Sequence, residues 1–167
     1  MNELERNELT EEYGLGPDLL ATAVAEIPRR AWDFKPAPTD WSVRLLVAHV
    51  TDSETLAATR LYMILAQPGS TLMSYEDEAW TKVLSYPDRS IEDTLQLFRL
   101  LRQTVHPLLK TVPDSALSNS VIHPDRVYPE YGEAYNLEKW LRIYTRHVRD
   151  HIEQLQAIHR AWREKQG

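Results

Sequence analysis

Between residues 137 and 162 the chain sets Leu137, Leu141, Tyr144, Val148, His151, Leu155, Ile158 and Trp162 at alternating steps of four and three without a miss. Only an α-helix gathers residues at that spacing onto one stripe, and so long an apolar stripe must be buried against other helices. This seam, starting near Asn136, commits the chain to a bundle. Three further segments supply partners. The first runs from about Pro17 to Arg30, with Leu19, Leu20, Val24 and Ile27 on one side, and ends in the Pro36 and Pro38 stretch before Asp40. The second follows Trp41, with Ser42 as N-cap, and reaches about Ala66, where Gln67-Pro68-Gly69 stops it. The third starts at Ser90, whose hydroxyl precedes the acidic Glu92 and Asp93 at the positive end of the helix dipole. Its apolar face is Ile91, Leu95, Phe98, Leu101, Val105 and Leu109.

No segment alternates with period two, and Pro and Gly interrupt the stretch from Tyr128 to Tyr135. The expected fold is therefore all-α, a four-helix bundle with two long connecting loops. Those loops, Gln67 to Arg89 and Pro113 to Tyr135, exceed what a bundle turn needs. One carries Tyr75, Trp80 and Tyr86, the other Tyr128, Tyr131 and Tyr135. The rings either cover one end of the bundle or patch core that the helices leave open. At 167 residues the chain suits one domain. Residues 1–14 are set apart as an N-terminal segment free to be mobile, and 15–167 as the helical domain.

Charge and composition narrow the chemistry. A formal net charge of −6 opposes binding to a phosphate backbone, so nucleic acid is not an expected partner. With no cysteine, the chain has no disulfide, thiolate ligand or thiol nucleophile of its own. No apolar run reaches bilayer length and the acidic start does not resemble a signal peptide, so no membrane partner and a cytoplasmic location are expected.

Six histidines remain: His49, His106, His123, His147, His151 and His159. His147 and His151 are four apart on the seam helix, a separation at which two imidazoles can reach one ion. His49 lies among Leu45, Leu46 and Leu56, where an unpartnered imidazole would be desolvated at a cost. Core histidines satisfied by hydrogen bonds would give the same pattern, and spacing alone does not bring His49 to the pair. His147-Val148-Arg149-Asp150-His151 lacks the glutamate of the zincin motif and has Asp150 where the inverted motif has glutamate. No histidine has glutamate three residues before it, which argues against a carboxylate-bridged di-iron site. His123 fits either a pocket or an ordinary turn, whereas His106 and His159 fit surface or partly packed positions. Trp41 suits a plug over the start of the second helix.

The segment Trp41-Ser42-Val43-Arg44 through His49-Val50-Thr51-Asp52-Ser53-Glu54, with Arg60 beyond it, resembles the second helix of the DinB-like, YfiT-type superfamily. Glu76-Asp77-Glu78-Ala79-Trp80 is similar to that family's inter-helix segment, His123-Pro124 to the region before its last helix, and His147-x-x-x-His151 to its closing ligand pair. The resemblance spans about Leu19 to Ile158. It implies a four-helix bundle, often a homodimer, holding one divalent ion, zinc or nickel, on His49, His147 and His151. It also implies metal-dependent enzymes, among them S-transferases that use bacillithiol or mycothiol and a mycothiol-dependent maleylpyruvate isomerase. Where the family has an HPE-x-G-like stretch, this chain reads His123-Pro124-Asp125-Arg126 with Gly132 displaced, so its substrate loop differs.

Three imidazoles leave positions open on zinc or nickel, as in catalytic sites. Bound there, a low-molecular-weight thiol co-substrate would attack a small-molecule electrophile, or hydroxide would hydrolyse one. A bundle that binds metal or a small ligand without turnover is the alternative. Pocket candidates are Arg60, Tyr75, Trp80 and Tyr144. Asp52, Glu54, Asp150 and Tyr144 are candidates to orient the imidazoles, with Asp150 also suited to pair with Arg146 on a solvated face. Arg60 could bind an anionic co-substrate or hold the loop to the bundle.

Overall fold

A computed structural model of the chain describes residues 1–124 and 134–167. Four long helices build it: α1 (Glu3–Ala25), α2 (Val43–Ala66), α4 (Ile91–Lys110) and α5 (Leu137–Glu164), with a short α3 (Asp77–Val83) between α2 and α4. Ser42, Ser90 and Asn136 cap α2, α4 and α5 through side-chain oxygens that accept from Leu45 N, Asp93 N and Lys139 N, so these three helices start where the sequence places them. Asp125, Arg126, Tyr128, Tyr131 and Gly132 lie outside the described residues.

The first helix departs from expectation at both ends. It begins at Glu3 under an Asn2 cap, so Pro17, expected at the first turn, is interior. An interior proline removes the hydrogen bond to the carbonyl four residues back and crowds that carbonyl. Here that carbonyl is Tyr13 O, and it accepts Arg102 Nη1 at 2.8 Å instead. Gly16 makes room for this guanidinium, since a Cβ there would stand 2.1 Å from Arg102 Nη1. The helix ends at Ala25, ahead of Ile27 and Pro28, and Arg29–Ala31 form a separate 3-10 turn. Residues 3–14 belong to this same helix, and Thr10 and Tyr13 are buried.

Cross-helix bonds give the directions. Met1 to Glu138, Glu5 to Arg142 and Glu12 to Arg149 ascend together, so α1 and α5 are parallel. Thr51 to Thr94 and Glu54 to Arg102 make α2 and α4 parallel. Asp18 with Arg99 and Glu11 with Lys110 run α1 against α4, and Ala57 with Trp140 and His49 with His151 run α2 against α5. Each of α1 and α2 packs on both α4 and α5, which leaves the consecutive α1 and α2 on a diagonal.

The interior is apolar above and below one polar layer. Tyr13, Leu61, Ile64, Val105 and Trp140 pack in one cluster, and Leu20, Val47, Phe98, Val148 and Leu155 in the other. Between them Arg102, 1% exposed, gives Nε and Nη2 to Glu54 Oε2 at 3.0 and 2.9 Å and Nη2 to Tyr144 O at 2.8 Å. Tyr13 Oη donates to Glu54 Oε1, and the guanidinium lies over the Tyr13 ring. Four helices thus meet at one side chain.

The described parts of the two long connections meet at the end where α2 stops and α5 starts, and the first then returns along α2, where Tyr86 packs on Leu45 and Ala48. Gly69 N and Leu72 N donate to Ser120 O and Ile122 O, and Ile122 N returns to Ser70 O. Strand β1 (Ser120–Val121) pairs antiparallel with β2 (Tyr135–Asn136). Among the described residues no helix is long and apolar enough to cross a membrane.

Arg102→Leu strands Glu54 in the core and should cost about 3–5 kcal/mol, whereas loss of the exposed Arg146–Asp150 pair by Arg146→Ala should cost under about 1 kcal/mol. Gly16→Ala should cost about 1–3 kcal/mol by overpacking against a guanidinium that cannot withdraw. Urea denaturation of the three variants checks this order, and an Arg102→Leu protein as stable as wild type contradicts it.

Candidate metal centre

α2 and α5 run antiparallel, so residues early in α2 face residues midway along α5. His49, buried, projects from α2; His147 and His151 project from successive turns of α5. One ring nitrogen from each lies within 4.8 Å of the other two. His147 Nε2 and His151 Nε2 are 3.0 Å apart. A tetrahedral ion with metal–nitrogen bonds of about 2.0–2.1 Å needs donors about 3.3 Å apart, so the pair, now in hydrogen-bond contact, has only to open by a few tenths of an ångström to hold one.

Hydrogen bonding fixes which His151 nitrogen is protonated. His151 Nδ1 is 2.8 Å from Gln154 Oε1. An amide oxygen only accepts, so the proton sits on Nδ1 and the Nε2 lone pair faces His147. Asp77 Oδ1 stands 3.9 Å from His49 Nδ1, and Trp41 meets the His49 ring edge-on at 4.8 Å. Burial, then the neighbouring His151, pushes His49 from its ordinary value of 6.5 down to about 3. Burial likewise lowers His147, with His151 and His49 adding to it, and lowers His151. Three neutral imidazoles are the form that donates to a cation. The donor set therefore fits a divalent ion.

The residues expected to orient the imidazoles are engaged elsewhere. Glu54 is consumed by Arg102 and Tyr13, Asp52 accepts from Arg89 Nη1 at 2.7 Å, and Asp150 pairs with Arg146 at 3.2 Å. Tyr144 Oη accepts from Arg60 Nη1 at 2.9 Å, and its ring is 6.4 Å from that of His147. Gln154 and Asp77 take the places beside His151 and His49. Gln154 was findable as the polar residue one turn past His151; Asp77 reaches His49 only through the path of the loop.

A cavity of about 510 Å³ opens beside the histidines. His49 and His147 line it together with Arg60, Tyr75, Tyr144 and His123. His123 is buried against the Tyr135 ring at 5.4 Å, which resolves the choice left open for it in favour of the pocket. Trp80 does not line the cavity; it stacks behind Tyr75 at 4.6 Å and packs with Tyr86 on Leu45 and Ala48. Trp41 joins that cluster at the start of α2, as a plug would. His106 lies 3.7 Å from Glu11 and His159 near Trp162, both away from the centre.

The sequence pattern of the DinB superfamily matches residues 13–155. A candidate metal-dependent hydrolase of Halalkalibacterium halodurans is 27% identical over 116 residues, 70% of this chain and 64% of that protein. One from Oceanobacillus iheyensis is 22% identical over 91% of this chain and 84% of its own length. The candidate metal-dependent hydrolase YfiT of Bacillus subtilis is 26% identical over 72% of this chain and 65% of its own. The solved structure of YfiT, described as a four-helix bundle of unusual topology, superposes with a TM-score of 0.85 at 22% identity, covering 96% of this chain and 89% of that one.

Between about 3 and 6.5 the unfolded chain binds a proton at His49 that the folded chain does not. The stability this gives is complete above pH 6.5 and is lost as pH falls toward 3. Metal-free protein should therefore lose stability steadily from pH 6.5 downward, and His49→Leu should flatten that slope. A denaturation midpoint that rises on acidification to pH 5 contradicts the assignment.

Proposed function

The chain belongs to the DinB superfamily, and from that premise we propose that it is a metal-dependent hydrolase of small-molecule substrates, with the ion on His49, His147 and His151. The observation that carries this reading is the convergence of three neutral imidazoles, two of which, His49 and His147, line an open cavity. The relatives' names, given as metal-dependent hydrolases, support it. We propose zinc or nickel as the ion, both suited to imidazole donors. When bound, it supplies Lewis acidity, lowering the pKa of a water or thiol and polarising an electrophile.

The chain's own groups do the rest. His49, His147 and His151 stay neutral in their buried setting, so each ring keeps one nitrogen with a lone pair. Gln154 holds the His151 tautomer, so the donor nitrogen is set before anything binds. Asp77, half exposed beside His49, stands where a carboxylate can accept a proton from an attacking nucleophile. Tyr75 and Tyr144 give the cavity apolar ring faces against which an electrophile is positioned, and Arg60 holds the loop backbone at Met73 O, 3.0 Å from Nη2.

Transfer to an external thiol is the second reading. It needs the same open position, and the absence of cysteine from the chain leaves the sulfur to a co-substrate. Protein reconstituted with zinc or nickel should hold about one ion per chain and cleave members of a nitrophenyl ester and amide panel. His147→Ala should lose both ion and turnover by at least about a hundredfold, the scale of a lost metal-site interaction. Turnover only after addition of a low-molecular-weight thiol would favour transfer over hydrolysis. Full metal content without turnover in either assay would favour a binding module and overturn the enzyme reading.

A further inference from the structure

Three arginines that enter the interior bring a carboxylate with them. Arg102 has Glu54, Arg89 has Asp52 and Arg44 has Asp33. Arg60 has none among the described residues. Its Nη1 donates to Tyr144 Oη and its Nη2 to Met73 O, both neutral acceptors, while Nε is buried without a partner. A partly buried guanidinium with only neutral partners keeps its full charge, and a donor left unmet out of reach of water is costly.

Position gives that charge a use. Arg60 lines the same cavity as His49 and His147 and is its one arginine or lysine among the described residues. It lies three turns beyond His49 on α2, about 16 Å along the helix axis. An arginine side chain leans toward the N-terminus of its helix, here toward the histidines. The cavity carboxylates stand apart: Asp77 is at His49, and the exposed Glu76 and Glu78 flank it at the start of α3. The cavity therefore has a metal-binding end and a single-cation end.

Resting on the metal-dependent reading above, we propose that Arg60 is an anion-binding position and that the substrate class is a small molecule carrying a carboxylate remote from the bond that is cut. One guanidinium, with two of its nitrogens already engaged, matches a monoanionic carboxylate; a phosphate dianion would call for further cations. The carboxylate pairs with the guanidinium charge on the cavity side, and so fixes how far along the cavity the reacting group lies. Arg60 is then a specificity determinant that does not touch the reacting atoms.

The test uses metal-loaded protein and two ligand series, straight-chain monocarboxylates and α,ω-dicarboxylates from four to ten carbons, with affinities measured by calorimetry. One end of either ligand can meet the ion, but only the second carboxylate of the dicarboxylate can meet Arg60. In wild type one dicarboxylate length should bind about tenfold tighter than its monocarboxylate partner, as expected for a single charge-assisted contact. Arg60→Gln should bring that ratio to about one, and Arg60→Lys should keep part of it. No length preference in wild type, or a preference that survives in Arg60→Gln, overturns the proposal. If Arg60→Gln does not fold, the wild-type ratio and Arg60→Lys decide by the same criteria. Metal content and ester cleavage are scored on the same samples: an inactive protein that shows the length preference refutes hydrolysis and keeps the anion position, and an active protein without it does the reverse.

Discussion

The whole arrangement depends on a single buried cation. Arg102 satisfies Glu54 on α2, the Tyr13 carbonyl on α1 and the Tyr144 carbonyl on α5 from its own place on α4. A charge this deeply buried is expensive unless each donor is met, and these donors are met in one register of the four helices. Sliding any helix by a turn would leave an ion without its partner inside the core. Apolar packing on either side supplies most of the driving force, since Leu, Val and aromatic side chains fill both clusters. The polar layer decides which packing is adopted.

Register is what the histidine centre needs. His147 is one turn from Tyr144, whose carbonyl Arg102 holds, and His49 precedes Glu54 by five residues on the helix that Arg102 grips. The cation that aligns α2 with α5 thereby aligns the two sources of imidazole. Arg102 also adds to the lowering of His147, so the same side chain that positions the ring favours its neutral form. Laced to each other by backbone bonds, the two long connections wall the cavity with Tyr75, His123 and Tyr135 and leave it open beside the rings.

Much of this was legible in the sequence because it follows from local rules. The seam from Leu137 to Trp162 is buried at every position except the partly exposed His151, and the serine and asparagine caps fix three helix starts. Pro17 misled because a proline is ordinarily a first-turn residue. Its tolerance inside α1 comes from a guanidinium 85 positions later in the chain, which no local pattern reveals. The histidine pair was visible as spacing, whereas its meeting with His49 depends on antiparallel packing and entered only through family resemblance. Glu54 looked like a partner for an imidazole because it follows His49 on the same helix. Its true partner, Arg102, lies on another helix and is the stronger claimant, being a cation with four donors converging on one layer. Gln154 and Asp77 went unremarked as orienting groups since neither belongs to a motif with a known spacing.

The most direct measurement is anomalous diffraction at the zinc or nickel edge from crystals of the protein grown with that ion. The account predicts one peak per chain, about 2.0–2.1 Å from a ring nitrogen of each of His49, His147 and His151, with Gln154 still bonded to His151 Nδ1. A peak elsewhere, or a site that engages the α5 pair while His49 turns away, would contradict it.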